Sequence, residues 1–304
     1  MSWYRPAEQP ALGRAGERIA LRQGPTTVTF ADLENRAGRY ASGLAAAGVT
    51  SGDRVLVLLR NSVRLFEMII GAARVGAVTV PVNTRLSDRE LRDVAEDAGA
   101  VAVVGEGELL GRLPARSGER VRLAVASEYE SWLAAHGHRT AAPGSPADVV
   151  LQIYTSGTSG RPKGVLLTDG NLAAKVTGVV DRWGLDATST SLLATPLFHV
   201  GALSWGLVAL AAGATTVLAD DARPATIARH LVDDGVTHAF LVPSMLGALA
   251  REVGPVPGAF PSLRTVVYGG SPISDAERQA ATTVLGPVLR QVYGMTETTG
   301  GFTE

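Results

Sequence analysis

The chain has 304 residues, 46% of them hydrophobic, with 28 Lys and Arg set against 29 Asp and Glu. That is enough chain for a substantial core in about two domains, and a net charge of −1 with scattered arginines leaves no basic block for nucleic acid. The absence of cysteine excludes disulfides and thiolate chemistry, Met1–Pro6 lacks the charged start and apolar core of a signal peptide, and no apolar run is long enough to span a bilayer. A cytoplasmic protein is expected.

The first half alternates strands and helices. Thr27-Val-Thr-Phe30 alternates like a strand, and Ala31–Ala47 carries helical apolar spacing stopped by Gly48. Arg54–Leu59 reads as a buried strand, followed by a helix from Asn61 or Ser62 to Val75. Val78–Pro81 is the next strand, Ser87 caps a helix to Ala98, and Val101–Val104 is a further strand. Strands separated by helices of this length imply mostly parallel pairing. Between Gly105 and Asp148 the pattern weakens, and Ala141–Pro146 reads as a linker, placing a boundary between domains 1–147 and 148–304. His136 and His138 in this stretch read as solvated loop residues.

The second half opens with an apolar run, Asp148–Tyr154, and continues through Thr155-Ser-Gly-Thr-Ser-Gly-Arg-Pro-Lys-Gly-Val165 to Leu167. A strand, a loop of hydroxyls and free amides, one ammonium and a second strand have the profile of a polyphosphate cradle. Lys163 is one of only two lysines, the other being Lys175. A loop of the Walker type would open a helix, whereas an apolar run follows here. The string alone also fits a glycine-rich surface hairpin. Helices are expected from Thr168 or Asp169 to Trp183, over Ala202–Ala212 and Pro224–Asp234, after Ser244, and from Ser274. Strands are expected at Ser191–Thr195, Thr215–Ala219, His238–Val242, Arg264–Tyr268 and Leu289–Tyr293. Strands here run out into Thr155–Gly160, His199–Gly201, Gly269–Pro272 and Gly294–Glu297; carboxyl edges of open α/β sheets are where ligands bind. Gly269 and Gly270 would admit a flat ring, Tyr293 would stack on it, Thr296 would reach a phosphate oxygen, and Glu297 would offer a hard carboxylate for Mg²⁺.

Tyr154–Val165, Pro196–Gly201, Tyr268–Pro272 and Gln291–Glu297, in that order and separation, resemble the successive signature motifs of the AMP-forming adenylating enzymes. That superfamily includes acyl-CoA synthetases, nonribosomal peptide adenylation domains and firefly luciferase. Thr27–Leu44 and Gly52–Pro81 also resemble its N-terminal region, so the resemblance covers essentially the whole chain. It implies an α/β fold of two subdomains with mostly parallel sheets packed together. Thr155, Ser156, Gly157, Thr158, Ser159 and Lys163 would cradle the ATP phosphates. Gly269, Gly270 and Ser271 would line the adenine and carboxylate pockets, and Gln291, Val292 and Tyr293, followed by Gly294 and Met295, would hold the adenine. Thr296 would contact the attacked phosphate, Glu297 would hold Mg²⁺, and His199 would border the acyl pocket, with Trp205 and Met245 as further lining. His230 and His238 match no motif and read as structural.

The implied reaction is attack of a carboxylate on the α-phosphate, giving an acyl-adenylate and pyrophosphate, then transfer to coenzyme A. Amino-acid-activating relatives generally place an aspartate where His199 stands, and Val200–Trp205 holds no acid. An unpaired ammonium in an apolar pocket is unfavourable, so a fatty or aryl acid is expected. Family members usually continue beyond the Thr-Glu motif into a mobile lid that carries a catalytic lysine. The chain therefore reads as the N-terminal fragment of an acyl-CoA synthetase that adenylates poorly by itself. Loading of a carrier-protein thiol, and a truncated non-catalytic nucleotide- or acyl-binding protein, are the alternatives.

Overall fold

The structure is a computed structural model that describes residues 3–4, 15–140, 144–155 and 162–303. A short hairpin, β1 (Ile19–Gln23) and β2 (Thr26–Thr29), leads into α1 (Phe30–Ala46). Then come β3 (Arg54–Leu58), α2 (Arg64–Arg74), β4 (Val78–Pro81), α3 (Asp88–Ala98), β5 (Ala102–Gly105), α4 (Gly107–Gly111), β6 (Val121–Ala124) and α5 (Tyr129–Ala134). The long hairpin β7 (Val149–Thr155) and β8 (Lys163–Thr168) precedes α6 (Asp169–Trp183), β9 (Thr190–Leu193), α7 (Val200–Ala211), β10 (Thr215–Leu218) and α8 (Pro224–Asp233). The chain continues through β11 (His238–Leu241), α9 (Pro243–Val253), β12 (Thr265–Tyr268), α10 (Asp275–Leu285), β13 (Leu289–Gln291), β14 (Tyr293–Met295) and β15 (Gly300–Thr303).

Local signals set several of these limits. Ser87 and Ser274 each accept from the backbone N–H three residues on, and Glu90 and Glu277 return the bond, closing two capping boxes. Gly99 ends α3 in the left-handed conformation. Helix α9 instead starts at Pro243 with Val242 at the cap, because proline at the first turn forfeits no hydrogen bond.

The chain divides into two compact units. Residues 3–4 together with Phe30–Ala173 belong to the first, around a six-stranded sheet in the order β6-β5-β3-β4-β7-β8, parallel except for β7 with β8. Strands β4 and β5 are buried at every position, as parallel strands covered on both faces must be. One core sits between this sheet and α3, where Leu56, Leu58, Val80, Leu91, Val94 and Val103 meet. Helices α1 and α2 pack closely at Gly71, where a β-carbon would stand 2.6 Å from the Ala37 carbonyl oxygen.

The second unit holds β1, β2 and the chain from Ala174 onward. Its seven-stranded sheet has the order β13-β12-β11-β9-β10-β1-β2, parallel except for β1 with β2. Leu192, Val217, Ile227, Leu241, Leu246 and Val266 form its core with α8, α9 and α10. Among the described residues, strands β14 and β15 pair only with each other.

Three sequence expectations change. The strand near Thr27 belongs to the second unit's sheet, where its partner β1 pairs with β10. The weak stretch after Gly105 contains β6, which extends the first sheet beside β5, as well as α4 and α5. Strands β7 and β8 close the first sheet instead of starting the second. His136 is also not simply solvated: Nδ1 lies 2.7 Å from the Trp132 carbonyl, and the ring packs on that indole. Among the described residues no helix is long and apolar enough to cross a membrane.

Candidate active site

In the first unit the candidate phosphate loop joins two antiparallel strands. Thr155, the last residue of β7, pairs with Lys163, the first of β8. A strand therefore follows the lysine, and no helix dipole is available from this loop. Ser156, Gly157, Thr158 and Ser159 lie outside the described residues. Lys163 is exposed. A hydrogen-bonded chain fixes the strand behind it: Arg54 Nε donates to Gln152 Oε1 at 3.2 Å, Gln152 Nε2 to the Tyr154 hydroxyl at 2.9 Å, and Tyr154 to Asp97 at 2.5 Å. Burial, followed by the Asp97 carboxylate, pushes the Tyr154 phenol above its ordinary pKa, so it stays a donor.

In the second unit the remaining candidates share one sheet edge. Strands β13, β12, β11 and β9 are neighbours and parallel, so the segments leaving their carboxyl ends lie side by side. These are Val292–Glu297 after β13, Gly269–Pro272 after β12, and Pro196–Gly201 beyond β9. Thr155 itself ends a strand of the first unit's sheet.

Gly269 and Gly270 are required for different reasons. A β-carbon at Gly269 would stand 2.4 Å from the Val292 carbonyl oxygen, so this glycine serves the approach of the next strand. Gly270 has φ +90° with open space around it, a backbone that favours glycine and leaves a bare surface for a ligand. Ser271 is exposed beside it. The Tyr268 hydroxyl donates to Gln291 Oε1 at 3.3 Å, and Val292 N–H donates to the Tyr268 carbonyl at 2.8 Å, tying the two segments together.

The run read as one strand to Tyr293 is interrupted at Val292. Tyr293, Gly294 and Met295 form β14, which turns through Thr296–Thr298 into β15. Tyr293 is 62% exposed, an aromatic side chain presented on the surface just beyond the end of β13. Glu297 is exposed and has no ion pair among the described residues, which fits a carboxylate kept for a metal ion. No group of three or more His, Asp or Glu side chains among the described residues could hold a metal ion by itself. Mg²⁺ here would rest on Glu297 together with the phosphate oxygens of a nucleotide.

His199 occupies the N-cap position of α7 without a side-chain cap bond. It is exposed and its ring lies 4.5 Å from that of Phe198. Gly201, one turn on, is needed because a β-carbon would meet Phe240 Cζ at 2.8 Å. Trp205 is buried in the core, packed between Trp183 and Phe240, and its Nε1 donates to Ser191 Oγ at 2.8 Å. Met245 packs against the core cluster. His230 bonds Asp234 at 2.7 Å, and His238 lies between Thr237 and the Trp183 carbonyl. Burial lowers the His238 pKa, keeping it neutral.

Sequence reasoning missed three residues around the β14–β15 turn. The Thr298 hydroxyl accepts from Met295 N–H at 3.0 Å and reaches the Gly300 carbonyl at 2.8 Å. Thr299 is the one non-glycine described residue with positive φ, at 61°. The ammonium of Lys175, on α6, donates to the Gly301 carbonyl. Its rarity was the only signal the sequence carried.

The chain matches the family of AMP-binding enzymes over residues 8–304. It is 37% identical over 90% of its length to the fatty acid–[acyl-carrier-protein] ligase ScoC of Streptomyces coeruleorubidus, covering 54% of that protein. It is 36% identical over 93% of its length to a feruloyl-CoA synthase of Amycolatopsis sp, covering 57% of it. Among solved structures it superposes on the N-terminal domain of FACL13 from Mycobacterium tuberculosis with a TM-score of 0.82 at 27% identity, covering 93% of this chain and 73% of that one. The chain thus spans little more than half the length of the curated relatives it matches. With two mostly parallel α/β sheets and the family's motifs along it, the chain belongs to the AMP-binding enzyme family.

Proposed function

We propose that the protein of which this chain is a part is an ATP-dependent acid–thiol ligase, acting on a fatty or aryl carboxylic acid in the cytoplasm with Mg²⁺. The observation that carries this reading is the sheet edge of the second unit. There Val292–Glu297 leaves β13 next to Gly269–Pro272 leaving β12, with Tyr293 exposed and the backbone of Gly270 bare, in a chain of the AMP-binding family. In this reading the acid's carboxylate oxygen attacks the α-phosphorus, the bond to pyrophosphate breaks, and an acyl-adenylate forms. A thiol, that of coenzyme A, then attacks the acyl carbonyl and AMP leaves.

Each side chain has a physical task. Lys163, Thr155 and the residues 156–159 neutralise and hold the phosphates, so that two anions can approach. Tyr293 stacks on the adenine, Gln291, Val292, Gly294 and Met295 flank it, and Gly269, Gly270 and Ser271 line its pocket and the carboxylate's. Thr296 donates to the attacked phosphate, and Glu297 holds the metal ion, whose positive charge offsets the phosphates. His199 borders the acyl site. Segment 198–205 contains no acid, which favours a substrate without an ammonium group.

Carboxylate-dependent ATP–pyrophosphate exchange over a panel of fatty, aryl and amino acids tests the reading. Exchange with amino acids alone, or none with any acid in a protein that continues past the Thr-Glu motif, would sink it. The identity with a ligase named for acyl-carrier protein favours a second acceptor, a carrier-protein thiol. Product analysis with coenzyme A and with a phosphopantetheinylated carrier separates the two.

A further inference from the structure

Lys175 is a misfit in the second unit. It is 9% exposed, and among the described residues no carboxylate pairs with it. A buried ammonium without a counter-ion is unfavourable, and burial lowers its pKa from the ordinary 10.5 to about 8. Two contacts hold it: Nζ donates to the Gly301 carbonyl, and the charge lies 5.0 Å from the centre of the Trp183 ring. Gly301 is in β15, directly opposite Gly294 of β14. Further along α6, Gly178, Val179 and Arg182 line a cleft whose far wall is Val292, Gly301 and Thr303. The seam between helix and hairpin is therefore not closed by packing there, and a two-stranded hairpin is marginal by itself.

We propose that Lys175 is a positioning residue: its ammonium straps β15 to α6, and through the β14–β15 pairing fixes the Tyr293–Glu297 segment for nucleotide. The inference rests on the reading of that segment as the adenine and metal site, and its primary test does not. The strap explains why a costly charge lies under a hairpin that pairs with no other strand among the described residues and otherwise rests on α7 near Ser204 and on Val292. A structural role alone would be served better by an apolar side chain of the same length, since replacing buried charges by packed apolar groups is often neutral or stabilising.

The test compares the chain with Lys175→Met and Lys175→Arg by amide hydrogen exchange without nucleotide, by thermal unfolding, and by ATP binding. With Lys175→Met, the amides of 293–303 are expected to exchange at least about tenfold faster, as loss of a charge-assisted hydrogen bond implies, while Tm holds or rises. ATP affinity should fall by a similar factor, and Lys175→Arg should restore much of the protection. Unchanged exchange in 293–303 overturns the proposal, as does a lowered Tm with protection lost evenly across the second unit. If exchange responds as expected but the unsubstituted chain binds no ATP, the strap stands and the nucleotide reading of the segment falls.

Discussion

Two hairpins carry the proposed nucleotide contacts, and they are supported in opposite ways. Strands β7 and β8 share six register pairs, β7 also pairs with β4, and the side chains of Arg54, Gln152, Tyr154 and Asp97 brace them within the first sheet. Strands β14 and β15 share three pairs and, among the described residues, join no other strand. Their geometry depends on close backbone contact at Gly294, the Thr298 hydroxyl, the strained Thr299 and the ammonium of Lys175. A hairpin held by a sheet tolerates local change; one held by a few side chains and a glycine does not.

The largest effect follows from that difference. An alanine at Gly294 would place Cβ 2.0 Å from the Gly300 carbonyl oxygen and 2.6 Å from Gly301 Cα, all backbone atoms that cannot swing away. Gly294→Ala should force the strands apart at about 3 kcal/mol, and ATP affinity, measured by titration calorimetry, should fall about a hundredfold. Unaltered affinity would show that the hairpin is not part of the nucleotide site.

The second prediction sets the strap against pH. In the unfolded chain Lys175 keeps its proton to about pH 10.5, and in the folded chain only to about 8. Between those values the unfolded state binds more protons, so stability rises with pH across this window. The difference in unfolding free energy between the native chain and Lys175→Met should therefore shift in favour of the native chain from pH 8 to 10.5, by on the order of 2 kcal/mol. The buried phenols of Tyr40 and Tyr129 and that of Tyr154 change over the alkaline range too, but they lie in the first unit and cancel in the comparison. A flat difference would mean that Lys175 is better solvated than its burial implies.

Lys163, the lysine of the braced hairpin, should behave differently. It is exposed at the start of β8, so Lys163→Met removes the proposed phosphate contact and little packing. ATP affinity should drop about tenfold, with Tm within about 2 °C of the native chain. A large loss of Tm would contradict a role confined to ligand.

The contrast also marks what the sequence could tell. Capping boxes at Ser87 and Ser274, the glycine stop after α3 and the apolar strands were legible because each rests on neighbours within a few residues. The motif strings were legible as strings, and Tyr293–Glu297 follows β13, the end strand of the second unit's sheet, after Val292. Sheet membership was not. Nothing in Ile19–Gln23 says that it will pair with β10, nearly two hundred residues away, and β7 looks the same whichever sheet it joins. The strap was hidden for the same reason, since Lys175 and Gly301 are far apart in sequence and a lysine on a helix ordinarily reads as solvated.

The smallest effect is the sharpest control, because it repeats the first substitution in the other hairpin. At Gly164, opposite Tyr154 in β8, a β-carbon would also collide, 2.3 Å from Gln152 Nε2. That atom is the far end of a flexible side chain. Gln152 can rotate away, giving up its bond to the Tyr154 hydroxyl, while Tyr154 keeps Asp97 and the six-pair ladder stays closed. Gly164→Ala should then cost about 1 kcal/mol, a fall in Tm of about 2–4 °C, with ATP affinity within about twofold of the native chain. If it weakened nucleotide binding as much as Gly294→Ala, bracing by the sheet would not be what separates the hairpins. The orientation of Gln152 would then have to be counted among the features that set the phosphate loop.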